Sequence, residues 1–458
     1  MKKLIYFFVV TILVLSSNVF AQWSFVGGVT GIAGTGESPS ISVCSPTCAW
    51  VATGSSGTTP LVSRTTNGGV TWTATGTTGL AAFDLFCCWA VDSLTCYVGN
   101  GGAAGGAGGN ATFYKTTNGG TSWTAVASTG GTGGFFNGIV FGRNAPNFGV
   151  AQSDPITGLG GAYYINTTTN GGANWNVLAT PPPGVTSAAS AQNSIFVNDA
   201  SFFGFGVSVG TAAAIRFYMT TNGGANWLLR TTALANGTFT PCIAFGDNKL
   251  TGVVASSTSL PNIARTTDGG ATFTNIATGV TVGGASQIKW MKNSNTVYMS
   301  GGTGASGCVM KSTNGGLNWT VQSTSGLAGI TSMDILQNGN TIYGYAICAD
   351  GSVLKINETI TGVENPSTIV PSNYSLEQNF PNPFNPTTTI NYSLPIATDV
   401  SLKVYDALGN EVMSLVNGFK NEGTHSITMN ASELTSGIYF YKLQAGNFVS
   451  TKKLTLIK

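Results

Sequence analysis

The side chains best suited to catalysis in this 458-residue sequence are a few of its aspartates. Hydrolysis of a glycosidic bond needs two carboxyl groups that face each other across a cleft, about 5–10 Å apart. Asp84 together with Asp154 or with Asp334 is the combination that we predict for such a pair. Asp92 and Asp199 instead lie in hairpin-turn sequences, where aspartate is favoured because it bonds to the nearby backbone.

Histidine and metal chemistry are poorly supported by the sequence. The single histidine is His425, so no nucleophile–histidine–acid set can form in the long region before it. A zinc site is disfavoured as well, because the paired Cys-x-x-Cys spacing is absent. We therefore predict no metal site and no cofactor.

The first 21 residues have the pattern of a secretory signal peptide. Lys2 and Lys3 precede an apolar run at residues 4–15, and residues 19–21 resemble a cleavage site. This run is short for a membrane span, and no later stretch is apolar enough to be one. The net charge is only +2, which argues against a nucleic-acid-binding surface. We predict an exported protein with no transmembrane segment and no nucleic-acid partner.

The cysteines of an exported protein are candidates for disulfides when their number is even, and here there are eight. Cys44 and Cys48 enclose a three-residue segment and predict a hairpin closed by its own bridge. The connectivity stays open. The predicted pairs are Cys44 with Cys48, Cys96 with Cys88 or Cys87, and Cys308 with Cys348.

The chain repeats an eight-residue phrase six times, and these copies must organise whatever chemistry the chain performs. The first copy reads Thr-Thr-Asn-Gly-Gly-Val-Thr-Trp from Thr65, and the others begin at residues 116, 168, 220, 266 and 312. A period of about 50 residues is typical of a radial repeat, in which each copy contributes one blade of a β-propeller. The abundance of glycine, with 63 residues, also favours short strands joined by turns.

Each phrase predicts a tight turn between the last two strands of a blade. Asn or Asp bonds to the backbone two residues on, the Gly pair tolerates positive φ, and the final aromatic ring anchors the turn. The phrase resembles the Asp-box, or bacterial neuraminidase repeat, although five copies carry Asn in place of Asp. The resemblance implies a structural turn away from any active site. Its predicted residues are Asn67, Trp72, Asn118, Trp123, Asn170, Trp175, Asn222, Trp227, Asp268, Phe273, Asn314 and Trp319.

The layout predicts an all-β fold, a seven-bladed β-propeller followed by a small antiparallel β-sandwich of the immunoglobulin-like kind. Six blades are centred on the phrases, and a seventh without a phrase follows over residues 331–356. Residues 23–26 resemble the strand after a phrase, so we predict that they complete blade seven and remove its open edge. A six-bladed ring is the alternative. The predicted bounds are 1–21 for the signal peptide, 22–360 for the propeller, 361–374 for a linker and 375–458 for the C-terminal sandwich domain.

Propeller ligands usually bind at the mouth of the central channel, where loops and innermost strands converge. Just before the apolar core of each first strand, the sequence places a ring of small polar residues with almost no charge. This ring either hydrogen-bonds sugar hydroxyls or holds water. The candidate ligand-binding residues are Asp84, Asn137, Asp154, Asn193 and Gln287.

The tail resembles the type A sorting domain of type IX secretion. The resemblance rests on four motifs in order: Asn-Phe-Pro-Asn-Pro-Phe-Asn-Pro from Asn379, Val-Tyr-Asp-Ala-Leu-Gly-Asn from Val404, Gly-Ile-Tyr-Phe-Tyr from Gly437 and the lysine-rich end from Lys452. It implies a Bacteroidetes-type source and a tail that binds the type IX machinery and is then cut off. The rest of the protein would be released or attached at the outer-membrane surface.

The propeller itself resembles a family of binding scaffolds. Ala-Gln-Ser-Asp-Pro from Ala151, followed by the phrase at Thr168, is similar to photosystem II assembly-factor-like and sortilin-like propellers. The resemblance implies seven blades and no catalysis. Sialidases share the Asp-box but need an arginine triad, and most of the five arginines here fall on predicted strands. We predict a binding scaffold for an extracellular protein or glycan. The alternative is a polysaccharide hydrolase similar to Asp-box xyloglucan-cleaving enzymes, which use two propellers.

Overall fold

The computed structural model describes most of the chain after the predicted signal peptide, which lies outside the described residues, as does most of the predicted linker. The described residues are 23–30, 39–55, 59–103, 109–131, 133–142, 145–157, 161–184, 190–207, 215–232, 234, 241–256, 262–279, 284–302, 307–323, 328–359, 373–379, 381–396, 398–420 and 423–457.

Twenty-eight strands form seven antiparallel sheets of four strands each, which are the blades. The outer strand of blade 7 comes first in the chain and is β1 (Ser24–Gly28). Blade 1 has β2 (Ser40–Val43), β3 (Ala49–Ser55), β4 (Thr59–Thr65) and β5 (Thr73–Ala74). Blade 2 has β6 (Leu85–Ala90), β7 (Cys96–Asn100), β8 (Thr112–Thr116) and β9 (Thr124–Ser128). Blade 3 has β10 (Phe136–Phe141), β11 (Gly149–Ile156), β12 (Ala162–Thr168) and β13 (Asn176–Val177).

The remaining blades repeat this order. Blade 4 has β14 (Ser190–Val197), β15 (Phe203–Val207), β16 (Arg216–Thr220) and β17 (Leu228–Thr231). Blade 5 has β18 (Pro241–Phe245), β19 (Gly252–Ser256), β20 (Asn262–Thr266) and β21 (Thr274–Ala277). Blade 6 has β22 (Ala285–Trp290), β23 (Val297–Gly301), β24 (Cys308–Ser312) and β25 (Thr320–Ser323). Blade 7 has β26 (Ile330–Asn338), β27 (Thr341–Cys348) and β28 (Ser352–Thr359), and β1 pairs with β28.

The blades close into a ring, which confirms the predicted fold class and excludes the six-bladed alternative. The first strands of consecutive blades contact one another all the way round, with β26 of blade 7 against β2 of blade 1. The pairing of β1 with β28 begins at Ser24 and Lys355. Closure matters physically because an open sheet edge exposes unpaired backbone groups to other chains.

The hydrophobic core is divided into seven layers, one between each pair of neighbouring blades. Large aromatic side chains dominate several layers, among them Trp50, Tyr97, Tyr163, Phe205 and Tyr298, all fully buried. The inner strands of a blade are therefore buried on both faces, as β6 and β7 are, whereas an outer strand such as β9 is largely exposed.

The tail forms two further antiparallel sheets around a core of its own. One sheet contains β29 (Ser375–Leu376), β30 (Thr387–Leu394) and β33 (Gly423–Asn430). The other is ordered β32 (Glu411–Lys420), β31 (Thr398–Tyr405), β34 (Gly437–Ala445) and β35 (Phe448–Leu456). Leu402, Tyr441 and Leu454 are fully buried between them. The sequence did not predict β29 or β32. No helix in the described part of the chain is long and apolar enough to cross a membrane.

Candidate functional site

The residues predicted to bind a ligand lie at the end of the propeller where the innermost strands begin. Asp84 directly precedes β6, Asn137 is the second residue of β10, and Gln287 is the third residue of β22. Asp154 lies near the end of β11, which runs antiparallel to β10 and so finishes at the same end. Asn193 belongs to β14, but its side chain lies outside the described part of the chain.

Two of these residues, Asn137 and Asp154, are brought together. The Asn137 side-chain amide donates to Asp154 Oδ1 at 2.8 Å and to the Phe135 carbonyl at 2.9 Å. Asp154 sits in a bulge, because the pairing of β11 with β12 shifts register between Ser153 and Pro155. Its backbone N–H donates to the Phe135 carbonyl at 3.0 Å. The bulge holds a half-buried carboxylate at the channel mouth, and bulges commonly re-aim side chains in this way.

Asp84 is held differently, because it is buried against the neighbouring blade. Its side chain is 3% exposed. A Cβ atom added to Gly54 of β3 would lie 2.1 Å from the Asp84 carboxyl carbon. Gly54 therefore provides the space that Asp84 occupies, and any larger residue there would displace the carboxyl group.

Gln287 and other polar residues of the ring tie each innermost strand to the next. These contacts join a side chain of one blade to the backbone of its neighbour. Met333 N donates to Gln287 Oε1 (2.6 Å), Ile41 N to Ser332 Oγ (3.0 Å), Cys88 N to Ser40 Oγ (3.2 Å), Ala90 N to Ser42 Oγ (3.0 Å), and the Ser194 hydroxyl to the Pro241 carbonyl. These side chains thus join neighbouring blades, and ligand binding at the ring stays a prediction.

The channel also contains an ion pair, which joins Lys289 of blade 6 to Asp334 of blade 7. Lys289 Nζ lies 2.9 Å from Asp334 Oδ1. The other oxygen, Oδ2, accepts from Val43 N at 2.9 Å and from Ser42 Oγ at 3.2 Å. Sequence reasoning named Asp334 only as a possible catalytic partner and missed Lys289. The available signal was its spacing: Lys289 follows Gln287 by two residues and so shares its face of β22.

The six repeated phrases lie at the opposite end, where the hairpins between first and second strands also lie. In the copy at Thr168, the Thr168 hydroxyl accepts from Gly172 N at 3.0 Å, and Asn170 Oδ1 accepts from Asn174 N at 3.0 Å. Gly171 N donates to the Asn147 carbonyl of the adjacent hairpin at 2.9 Å. Both glycines of every copy have φ between 67° and 90°, where a side chain is strongly disfavoured.

The aromatic residue that ends each phrase packs on the preceding blade rather than on its own blade alone. Trp123 of blade 2 meets Trp50 of blade 1 edge to face, with ring centroids 6.2 Å apart. The phrase polar residues keep their turn contacts in every copy. Asp268, the one aspartate among them, has its pKa lowered to about 2 by hydrogen bonds from the Thr272 hydroxyl and backbone. The other phrase residues with the same placement are Asn67, Trp72, Asn118, Trp175, Asn222, Trp227, Phe273, Asn314 and Trp319.

All eight cysteines are free thiols in the structure. Cys44 and Cys48 flank the β2–β3 hairpin, and Cys44 Sγ donates to the Cys48 carbonyl at 3.4 Å. Cys88 and Cys96 share the layer between blades 1 and 2, and burial raises the pKa of Cys88 to about 12. Cys308 lies between blades 5 and 6, whereas Cys348 lies between blades 6 and 7. Among the described residues, no group of three or more His, Cys, Asp or Glu side chains could hold a metal ion.

The tail matches a family model, that of the secretion system C-terminal sorting domain, over residues 378–458. The tail is a sorting domain. The match confirms the resemblance drawn from its motifs and the assignment to type IX export. The protein is therefore secreted to the cell surface or the extracellular space of a Bacteroidetes-type bacterium.

Solved structures resemble the chain in fold. YCF48 bound to D1 peptide is 15% identical with a TM-score of 0.50, over 74% of this chain and 97% of that one. The GH74 xyloglucanase from Xanthomonas campestris is 14% identical with a TM-score of 0.51, over 87% of this chain and 60% of that one.

A third structure is PorZ, a bacterial surface component of the type IX secretion system of Porphyromonas gingivalis. It is 14% identical with a TM-score of 0.46, over 94% of this chain and 61% of that one. The chain spans about three fifths of the length of PorZ and of the xyloglucanase. A search of curated protein sequences finds no match. At these identities the likeness of YCF48 and the xyloglucanase establishes the propeller fold alone.

Proposed function

We propose that the propeller is a non-enzymatic binding module, which the sorting domain carries out of the cell to bind an extracellular glycan or protein at the channel mouth. The observation that carries this proposal is the pairing of Asn137 with Asp154. The bulge presents the partly exposed Asp154 carboxylate at the end of the channel, and Asn137, which is 2% exposed, orients it through its side-chain amide. A carboxylate held in this way is an acceptor for a sugar hydroxyl or a peptide N–H.

The other carboxylates argue for binding rather than hydrolysis. Asp84 is buried beside Gly54, and both oxygens of Asp334 already have partners within the ring. A glycosidase needs one carboxyl with a raised pKa as its acid and a second carboxylate exposed to the cleft. Hydrogen bonds lower the pKa of Asp268 and of Asp350, two aspartates in turns, which is the opposite of what a catalytic acid requires. The hydrolase remains the second candidate, because the xyloglucanase shares the fold.

Binding at the mouth predicts a clear result on an array of glycans and polysaccharides probed with residues 22–458. Asn137→Ala and Asp154→Asn are expected to weaken retention of the bound glycan at least about tenfold, the loss expected for hydrogen bonds to a charged group. Asn174→Ala, an exposed asparagine at the opposite end, is the matched control and should leave retention unchanged. If no glycan on the array is retained, a glycan ligand is excluded and a protein ligand is the remaining form of the proposal.

A reducing-end assay on the retained polysaccharides separates the two candidate functions. The binding module releases no new reducing ends. If the unmodified protein does release reducing ends, and Asp84→Asn or Asp154→Asn abolishes that release, the protein is a hydrolase and the proposal is wrong. Because both variants are also scored for retention, loss of binding and loss of cleavage are distinguished.

We further propose that the repeated phrases are Asp-boxes, that residues 1–21 are the export signal, and that the propeller and sorting domain follow the predicted bounds.

After export, we propose, Cys44 and Cys48 form a disulfide across their hairpin, with loss of two protons and two electrons to an extracytoplasmic thiol oxidant. Intact-protein mass spectrometry of the secreted protein should show a 2 Da loss that Cys44→Ser abolishes. An unchanged mass would contradict the bridge.

A further inference from the structure

A groove with a volume of about 700 Å³ lies between blades 2 and 3, outside the channel and at the end that carries the phrases. It is built from residues in and beside two phrases. Lys115 of β8 directly precedes the phrase of blade 2, and Thr124 of β9 directly follows it. Asn176 of β13 directly follows the phrase of blade 3. The volume falls within the range of about 300–1,000 Å³ that small-molecule sites usually have.

Most of the lining is polar and consists of asparagine amides with threonine and serine hydroxyls. Thr124 and Asn176 are exposed, and their side chains make no hydrogen bond within the described part of the chain. Asn170 also has its amide Nδ2 available, because its side-chain contacts use Oδ1. An amide offers a donor and an acceptor, and a hydroxyl can act as either. The groove is therefore suited to a ligand with several hydroxyl groups.

Lys115 is the one charged residue among the described residues that line the groove. Its ammonium lies 3.4 Å from the Gly172 carbonyl and 5.2 Å from the centroid of the Tyr97 ring. No ion pair of Lys115 occurs among the described residues, whereas Lys311, the equivalent residue of blade 6, is paired with Glu358. An ammonium has three donors, so Lys115 retains donors for a ligand. An anion in the groove is attracted by this charge and meets no carboxylate of the lining.

We propose that the groove between blades 2 and 3 binds an acidic sugar, which carries one anionic group and several hydroxyl groups. The anionic group binds the Lys115 ammonium. The hydroxyl groups bond to Thr124, Asn170 and Asn176. Neither contact is sufficient alone, because a single exposed charge pair contributes little in water. The combination of one cation with free amides and hydroxyls selects a charged sugar over both a neutral sugar and a simple anion.

The groove is separate from the site proposed at the channel mouth, so the two proposals stand or fall independently. Neither Asn137 nor Asp154 lines the groove, and the two sites lie at opposite ends of the propeller. Asp154→Asn should therefore leave the binding of an acidic sugar in the groove unchanged.

Three probes test the proposal against residues 22–458 by ligand-observed saturation-transfer NMR. Glucuronate has a carboxylate and hydroxyl groups, glucose has the hydroxyl groups alone, and acetate has the carboxylate alone. We expect glucuronate to bind about tenfold more tightly than glucose, because it gains a hydrogen bond between charged groups. Acetate should bind more weakly than glucuronate, because it lacks the hydroxyl contacts. Absence of glucuronate binding would overturn the proposal, as would an affinity for glucuronate no higher than that for glucose or for acetate.

Two variants of the cation locate the charge that is recognised. Lys115→Met should reduce the affinity for glucuronate to that for glucose. Lys355→Met is the matched control, because Lys355 makes the same kind of contacts: it lies 3.4 Å from the Gly68 carbonyl and 5.3 Å from the centroid of the Tyr345 ring. Lys355 does not line the groove, so its replacement should leave glucuronate binding unchanged. Equal losses in the two variants would contradict a site at Lys115.

A second pair of variants fills the groove instead of removing its charge. Thr124→Trp should abolish glucuronate binding. Thr274→Trp places the same side chain at the equivalent exposed position of blade 5, the first residue of β21, and should not. Circular dichroism establishes that each variant is folded. If Lys115→Met does not fold, Thr124→Trp decides, since unchanged glucuronate binding in that variant contradicts the site.

Discussion

Replacing Trp23 with alanine is expected to lower the free energy of unfolding of the propeller by about 4 kcal/mol. Trp23 is 4% exposed and packs between blades 6 and 7, with Tyr298, Val309 and Leu354 in the same layer. Truncation of a buried tryptophan loses its transfer free energy and leaves a cavity. This loss of stability should weaken the closure of the ring in particular. Trp23 directly precedes β1, the strand that joins the start of the propeller to its end, and its burial holds that strand in place. Denaturant unfolding of residues 22–458 measures the change.

Phe25 provides the matched control, since it lies on β1, two residues after Trp23, and is 65% exposed. Phe25→Ala keeps the pairing of β1 with β28 and should change stability little. The Trp23 variant should also aggregate more readily on warming, because release of β1 exposes the edge of β28. Equal effects of the two substitutions would show that burial of this strand does not hold the ring closed.

The sequence predicted a strand at residues 23–26 because the local and the global patterns agreed. Residues 23–26 resemble a strand after a phrase, and the seventh blade lacked one. The structure places the strand at Ser24–Gly28. In the tail, β32 was missed for a physical reason. Its pairing with β31 shifts register twice, and Val416 is its one buried residue, so the alternation that marks a strand is lost.

The candidate site was harder to predict than the fold. Asn137 and Asp154 were both named from the sequence, but their contact depends on a bulge that spacing alone does not reveal. Gln287 was named because it is polar and near the mouth, and the sequence contained no sign that its amide oxygen accepts a hydrogen bond from the backbone of the next blade. Whether a polar residue faces solvent or a neighbouring strand depends on the angle between blades, which a single sequence does not encode locally.

Blade 7 lacks a phrase, and its Glu358 accepts a contact from a cation of the preceding blade, as a phrase carbonyl does in some other blades. In three other blades a cation from the preceding third strand donates to a phrase glycine carbonyl: Lys115 to Gly172 at 3.4 Å, Arg265 to Gly315 at 2.8 Å and Lys355 to Gly68 at 3.4 Å. For blade 7, the corresponding cation is Lys311, which lies on β24, the third strand of blade 6. Its ammonium pairs with Glu358 Oε1 at 2.5 Å.

Glu358→Ala is therefore expected to lower the free energy of unfolding by about 3 kcal/mol. The side chains of Lys311 and Glu358 are 12% and 15% exposed, and the buried Tyr298 hydroxyl also donates to Glu358 at 2.6 Å. Removal of the carboxylate leaves a largely buried ammonium and a phenol without their acceptor, which costs more than the pair itself contributes.

The double variant Lys311→Met with Glu358→Ala separates these two costs. Because it removes the unpaired charge as well as its partner, it should recover part of the stability lost by Glu358→Ala. Glu411→Gln is the matched control. It breaks an ion pair with Lys403 in the tail whose side chains are 33% and 41% exposed, and exposed pairs contribute little. If Glu358→Ala and Glu411→Gln unfold at the same denaturant concentration as the unmodified protein, Glu358 does not replace the missing phrase. Recovery in the double variant would instead support a buried charge pair between blades 6 and 7 at the position where Lys115, Arg265 and Lys355 donate to a backbone carbonyl.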